Sequence, residues 1–134
     1  MGARSSSGQG VLVLVAYWVL AGLLAVFYAY SAVLKLVRSR EQLQPMMHWV
    51  ERAPMPAVRA IGAVEALGVL GLLLPPSTDV APVLAGWAAV GLVLLQIGAT
   101  TLHVVRGEAR QIGLNLGLLV GAAVAAVLAF RLWG

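Results

Sequence analysis

Ile61-Gly62-Ala63-Val64-Glu65-Ala66-Leu67-Gly68-Val69-Leu70-Gly71-Leu72-Leu73-Leu74 is an apolar run broken by one carboxylate and followed by Pro75-Pro76. A run of this kind suits a helix across a bilayer, which needs about 20 mostly apolar residues. Placing a charged side chain at the centre of such a helix costs about 2.5–3.5 kcal/mol on insertion scales. A carboxylate that survives there faces the bundle interior, takes a partner and marks a functional site. The rest of the chain is therefore read as the surroundings of Glu65.

Composition supports a membrane setting. Of the 134 residues, 61% are hydrophobic and 10% charged, against about 25% charged in a soluble domain. The chain reads as one integral membrane domain, with no extramembrane stretch long enough to bury a second core. Cysteine is absent, which removes disulfides, thiolate nucleophiles and cysteine-held metal or iron–sulfur centres. Two histidines do not furnish a dedicated metal site, so no metal is expected. The net charge of +4 is explained by basic loops between spans. No stacking platform accompanies it, so nucleic acid is not an expected partner.

Four spans are expected, in an all-α four-transmembrane-helix bundle. Residues 1–10 read as a disordered polar tail and 11–134 as a single membrane domain. Span one runs from Val11 to Val37, and span two from Ala57 to Leu74, with a tight turn over Pro75–Asp79. Span three runs from Val80 to Val105 with Pro82 in its first turn, and span four from Gln111 to Leu132. Between spans one and two, Met46, Met47, Trp49 and Val50 are too apolar for a free linker, which predicts a short interfacial segment. Lys35, Arg38, Arg40, Arg52, Arg59, Arg106 and Arg110 gather at one end of the spans, leaving Arg4 and Arg131 at the other. The positive-inside rule then puts both connectors in the cytoplasm and both termini outside a bacterial cytoplasmic membrane.

At 100° per residue, Tyr17, Leu24, Tyr28, Ser31 and Lys35 share one stripe of span one. Gln96, Thr100 and His103 share a stripe of span three. Gly62 and Gly68 flank Glu65 and let another backbone or a ligand approach. Lys35, Glu65, Gln96, Thr100, His103 and Asn115 all fall in the cytoplasmic half, which predicts one polar pocket beneath a dry outer half. Each has a plainer reading. Lys35 can snorkel to the headgroups or simply pair with Glu65. His103 can sit at the interface. Ser31 and Thr100 can bond back to their own helices, and Gln96 and Asn115 can join helices. A polar set spread over four helices exceeds what one ion pair requires, so a working carboxylate is expected.

Span four carries Gly113, Gly117, Gly121, Ala125 and Ala129 at every fourth position, a pattern that lets helices approach closely. The surface it meets is either a neighbouring span or a second protomer, in a homodimer through Gly113, Gly117 and Gly121. Trp18, Trp87 and Trp133 read as interface anchors on the outer side, and Trp49 as one on the connector.

Three stretches resemble the DoxX-like family of small bacterial four-helix membrane proteins. They are Tyr28-Ala-Tyr-Ser-Ala-Val-Leu-Lys35, Ile61-Gly62-Ala-Val-Glu65-Ala-Leu-Gly68 and Gly98-Ala-Thr-Thr-Leu-His103-Val-Val-Arg-Gly-Glu108. The resemblance implies a four-helix membrane protein, in a family that takes its name from a subunit linked to quinone-dependent sulfur oxidation and most of whose members have no assigned chemistry. It supplies no residue-level mechanism.

Three functions are weighed. In the first, the chain is a redox-linked membrane subunit that binds a quinone-like lipophile around Glu65. Tyr28, Ser31, Gln96, Thr100 and Asn115 would be ligand-binding residues. The quinone is the cofactor that the family resemblance suggests; no haem, flavin or iron–sulfur signature is present, so electrons would come from a partner. In the second, it is a membrane-embedded acid–base enzyme (an isomerase, cyclase or epoxide-opening enzyme) with Glu65 as proton donor or acceptor and His103 or Lys35 restoring the proton. In the third, it is a non-catalytic assembly factor. Four short unbroken spans argue against a transporter.

Overall fold

The computed structural model describes the backbone of residues 2–134 and the side chains from Gly8 onward. Its long helices are α1 (Gly2–Val37), α3 (Met55–Thr78), α4 (Leu84–Arg106) and α5 (Ala109–Trp133), with a short α2 (Arg40–Leu43) and a 3₁₀ turn (His48–Glu51) between α1 and α3. No strand occurs among the described residues. Four helices are long and apolar enough to cross a membrane. Their outward faces carry Leu12, Val19, Leu23, Val26, Leu67, Leu94 and Val127, all exposed, as side chains solvated by lipid should be. The segment expected to be a polar tail continues the backbone of α1 from Gly2.

α1 pairs with α3 and α4 with α5, and each pair is drawn together where side chains are smallest. A Cβ on Gly62 would lie 2.9 Å from Lys35 Cβ and 3.2 Å from the Ala32 carbonyl oxygen, so α1 lies directly against α3 there. Gly86 receives the ring of Phe130 in the same way. The two pairs meet in the half of the bundle that holds the chain termini, called here the terminal end. Gly68 and Gly71 admit Leu92 and Ala88, and Gly121 lies under Leu24 and Leu20. Two apolar clusters fill this half, one around Leu24, Leu72, Leu92 and Ala125, the other around Tyr17, Ala21, Ala85 and Ala129. Trp18 and Trp133 meet Tyr17 edge-on, and Trp87 meets Phe130. The apolar half expected opposite the polar pocket is thus present, at the terminal end.

The prolines behave differently from expectation. Pro75 and Pro76 do not form a turn; α3 runs through them to Thr78 and stops at Asp79, which adopts a left-handed φ of 57°. Proline in a helix leaves the carbonyl four residues back without its N–H partner. For Pro76 that carbonyl is Leu72's, and Tyr17 Oη donates to it at 2.6 Å. A tyrosine from another helix thus replaces the missing donor. Pro82 lies just before α4 rather than inside its first turn, so α4 begins at Leu84.

The interfacial segment forms from local signals. Ser39 and Gln42 make a reciprocal capping box at the start of α2, each satisfying one backbone donor of the other. Leu43 and Val50 are buried with Leu34 and Val58. Arg40 donates to the Val50 and Glu51 carbonyls, and Arg59 to those of Lys35 and Arg38. Arg59 therefore satisfies carbonyls that the end of α1 leaves without helical partners.

Candidate functional site

A cavity of about 390 Å³ occupies the other half of the bundle, the connector end. One wall is Tyr28, Ser31 and Lys35 of α1 with Ile61 and Glu65 of α3. The opposite wall is Leu95, Gln96, Leu102 and His103 of α4 with Asn115 and Leu118 of α5. Met47 and Trp49 of the connector complete the lining. The two helix pairs, closed against each other at the terminal end, leave this partly open space between them at the connector end.

Glu65 is 3% exposed and Lys35 8%. Lys35 does not snorkel: its Nζ donates at 2.6 Å to both Glu65 Oε1 and Ser31 Oγ. The one-turn spacing from Ser31 to Lys35 puts hydroxyl and ammonium on the same face, and the contact at Gly62 brings that face to Glu65. The remaining carboxylate oxygen, Glu65 Oε2, is buried without a hydrogen-bond partner among the described residues. Across the cavity, Gln96 Nε2 donates to Tyr28 Oη, a polar link between the two helix pairs. Gln96 Oε1 and Asn115 Nδ2 are likewise buried and unpartnered among the described residues.

His103 joins the cavity to the surface. Gly107, at a φ of 71°, ends α4, and the chain folds back with Glu108 N donating to the His103 carbonyl and Gly107 N to that of Val104. This is a Schellman turn, and it sets the Glu108 side chain beneath the imidazole. Glu108 Oε1 lies 2.9 Å from His103 Nδ1 and accepts from Arg106 Nε at 2.8 Å. Those hydrogen bonds, His103's first and then Arg106's, hold the Glu108 carboxyl below its ordinary range. A depressed carboxylate favours the fold above its unfolded pKa and loses that contribution as pH falls through the folded value. The clasp is therefore complete at neutral pH.

Tyr28, Ser31, Lys35, Glu65, Gln96, His103 and Asn115, all read from the sequence as site candidates, line this one cavity. Thr100 does not. It faces a separate apolar groove with Ile97, Val104, Leu116 and Leu119. Relative to Gln96 it lies about 40° to one side and His103 about 20° to the other, and the cavity is on His103's side. Sequence reasoning missed Glu108, whose signal was the Gly107 helix stop, and missed Met47 and Trp49 as lining residues. Their apolar character in a loop was visible, but their destination was not. A Cβ added to Gly113 or Gly117 would meet no neighbouring atom within 4 Å, whereas one on Gly121 would touch Leu24 and Leu20 of α1. The small-residue stripe thus serves an intramolecular contact in its terminal-end part.

In comparison with known proteins, the family model of the DoxX-like family matches residues 19–127. No curated protein and no solved structure matches the chain.

Proposed function

The chain belongs to the DoxX-like family of membrane proteins, and from that premise we propose that it binds a quinone-like lipophile in the connector-end cavity as a redox-linked membrane subunit. The observation that carries this reading is the combination of an apolar lining with unpartnered buried polar atoms on Glu65, Gln96 and Asn115. Ligand sites are mostly apolar concavities with a few convergent polar groups that fix orientation. Unpartnered buried polar groups are costly to a fold, and a ligand head that meets them relieves that cost. On this reading Glu65, Lys35, Gln96, Tyr28 and Asn115 hold the head. Phe27 and Leu118 hold the ring or tail, and Trp49 covers it. Electrons come from a partner protein.

The test is photolabelling in lipid nanodiscs with an alkyl-quinone carrying a diazirine in its tail, followed by peptide mapping. Labelling should concentrate on the Trp49 and Leu118 peptides and be lost in Ala99→Trp, which fills the cavity. Labelling spread over the lipid-facing residues Leu12 and Val127 and indifferent to Ala99→Trp would refute the reading.

One observation favours a second reading, acid–base catalysis on a lipophilic substrate. His103 lines the cavity while its Nδ1 engages a partly exposed carboxylate, so it is placed to exchange protons between the cavity and the surface turn. Conversion of a lipophile at a rate that falls in both His103→Gln and Glu65→Gln would favour this reading over binding alone.

A further inference from the structure

We infer that the head group this cavity selects carries an O–H or N–H donor, as a phenol or hydroquinone does, and not carbonyl acceptors alone. The inference rests on the cavity being a lipophile site and concerns the chemistry of what enters it. Hydrogen-bond bookkeeping decides it. A carboxylate has acceptors only, whereas a primary amide can turn over and present either its oxygen or its NH₂. Gln96 and Asn115 can therefore adapt to whichever group arrives. Glu65 cannot. Its Oε1 accepts from Lys35 at 2.6 Å in an ion pair, and its Oε2 is buried and unpartnered among the described residues. Only a donor satisfies Oε2.

A carbonyl oxygen placed against Oε2 would set two acceptors together in a low-dielectric space, where an unpaired polar atom is most costly. A hydroxyl resolves both sides with one group. Its hydrogen goes to Glu65 Oε2, and its oxygen is free to accept from Lys35, two of whose three N–H groups are engaged by Ser31 and Glu65. The ion pair as a whole is neutral, so a neutral hydroxyl suits it better than a cationic head. Among quinone-like ligands, the reduced, hydroxylated form is the one this site holds.

The experiment compares 4-octylphenol with its methyl ether, which share an apolar body and differ in the donor. Binding to the full chain in lipid nanodiscs is followed by titration calorimetry, with empty nanodiscs correcting for partition. A hydrogen bond to a charged group is strong enough that the phenol should bind about tenfold tighter or more. The Glu65→Gln/Lys35→Met variant, which removes both charges together, should bind the two compounds alike. Equal affinities in the unaltered protein would overturn the donor requirement and leave lipophile binding standing. Neither compound binding above the empty-nanodisc control would overturn both. Retention of the phenol preference in the double variant would overturn the assignment to Glu65.

Discussion

A lysine and a glutamate 2.6 Å apart inside a membrane bundle bring two demands into one place. Each charge needs the other to be tolerable away from water, and the carboxylate retains an oxygen that the pair does not use. Structural and functional roles therefore separate experimentally. Removing one partner of a buried pair leaves a lone charge and costs about 3–5 kcal/mol, whereas neutralising both is close to neutral. Glu65→Gln alone should lower the melting temperature in detergent markedly, and Glu65→Gln/Lys35→Met should recover most of the loss. The recovered protein should still lack the preference for a hydroxylated head. A melting temperature unchanged in the single variant would show that the pair contributes nothing to stability. The pairing of Lys35 was legible as one option from its spacing to Ser31 and from the lone carboxylate in α3. The sequence could not choose between pairing and snorkelling, because that choice depends on where α1 crosses α3.

The proline pair of α3 shows how an element survives a local rule broken against it. A helix-interior proline costs about 3 kcal/mol in isolation, and Leu73 and Leu74 carbonyls also gain side-chain donors from Ser77 and Thr78. Tyr17 supplies the donor that Pro76 cannot give to Leu72. This predicts coupling between residues on different helices. Tyr17→Phe should destabilise the native chain by about 1 kcal/mol or more, since it strands a buried carbonyl. In a Pro76→Ala background, where the alanine N–H is available to the same carbonyl, the loss should be smaller. A double-mutant cycle in thermal or denaturant unfolding reads the difference directly. Additive effects would mean that the tyrosine does not substitute for the helix bond. From sequence, Pro75-Pro76 signals a turn, because the compensating hydroxyl lies far away in the chain.

Across the whole molecule, the two helix pairs touch at the terminal end and part at the connector end, and the basic residues gather where they part. Arg40 and Arg59 there hold carbonyls of the connector and of α1, so part of the charge bias that suggests topology also closes the fold. The positive-inside reading predicts that this end faces the cytoplasm. In the cysteine-free chain, single cysteines at Ser5 and Ser77 should react with a membrane-impermeant maleimide in intact spheroplasts. A cysteine at Arg52 should react only after lysis. The opposite pattern would invert the topology and place the cavity on the outer side.

The four spans, their apolar faces and the stripe from Tyr17 to Lys35 were legible from sequence alone, because lipid imposes length and helical periodicity imposes sides. Every member of that stripe is buried. Glu65 also stood out, since one carboxylate in an apolar helix is costly wherever the helix packs. Tertiary structure decided what periodicity cannot express. Gly62, Gly68 and Gly121 set how closely particular helices approach, and those approaches determine which end closes and which end encloses a cavity. They bring His103 into the lining and leave Thr100 outside it, though both lie on one helical stripe. Periodicity assigns a side chain to a face; only the crossing of helices determines what that face meets.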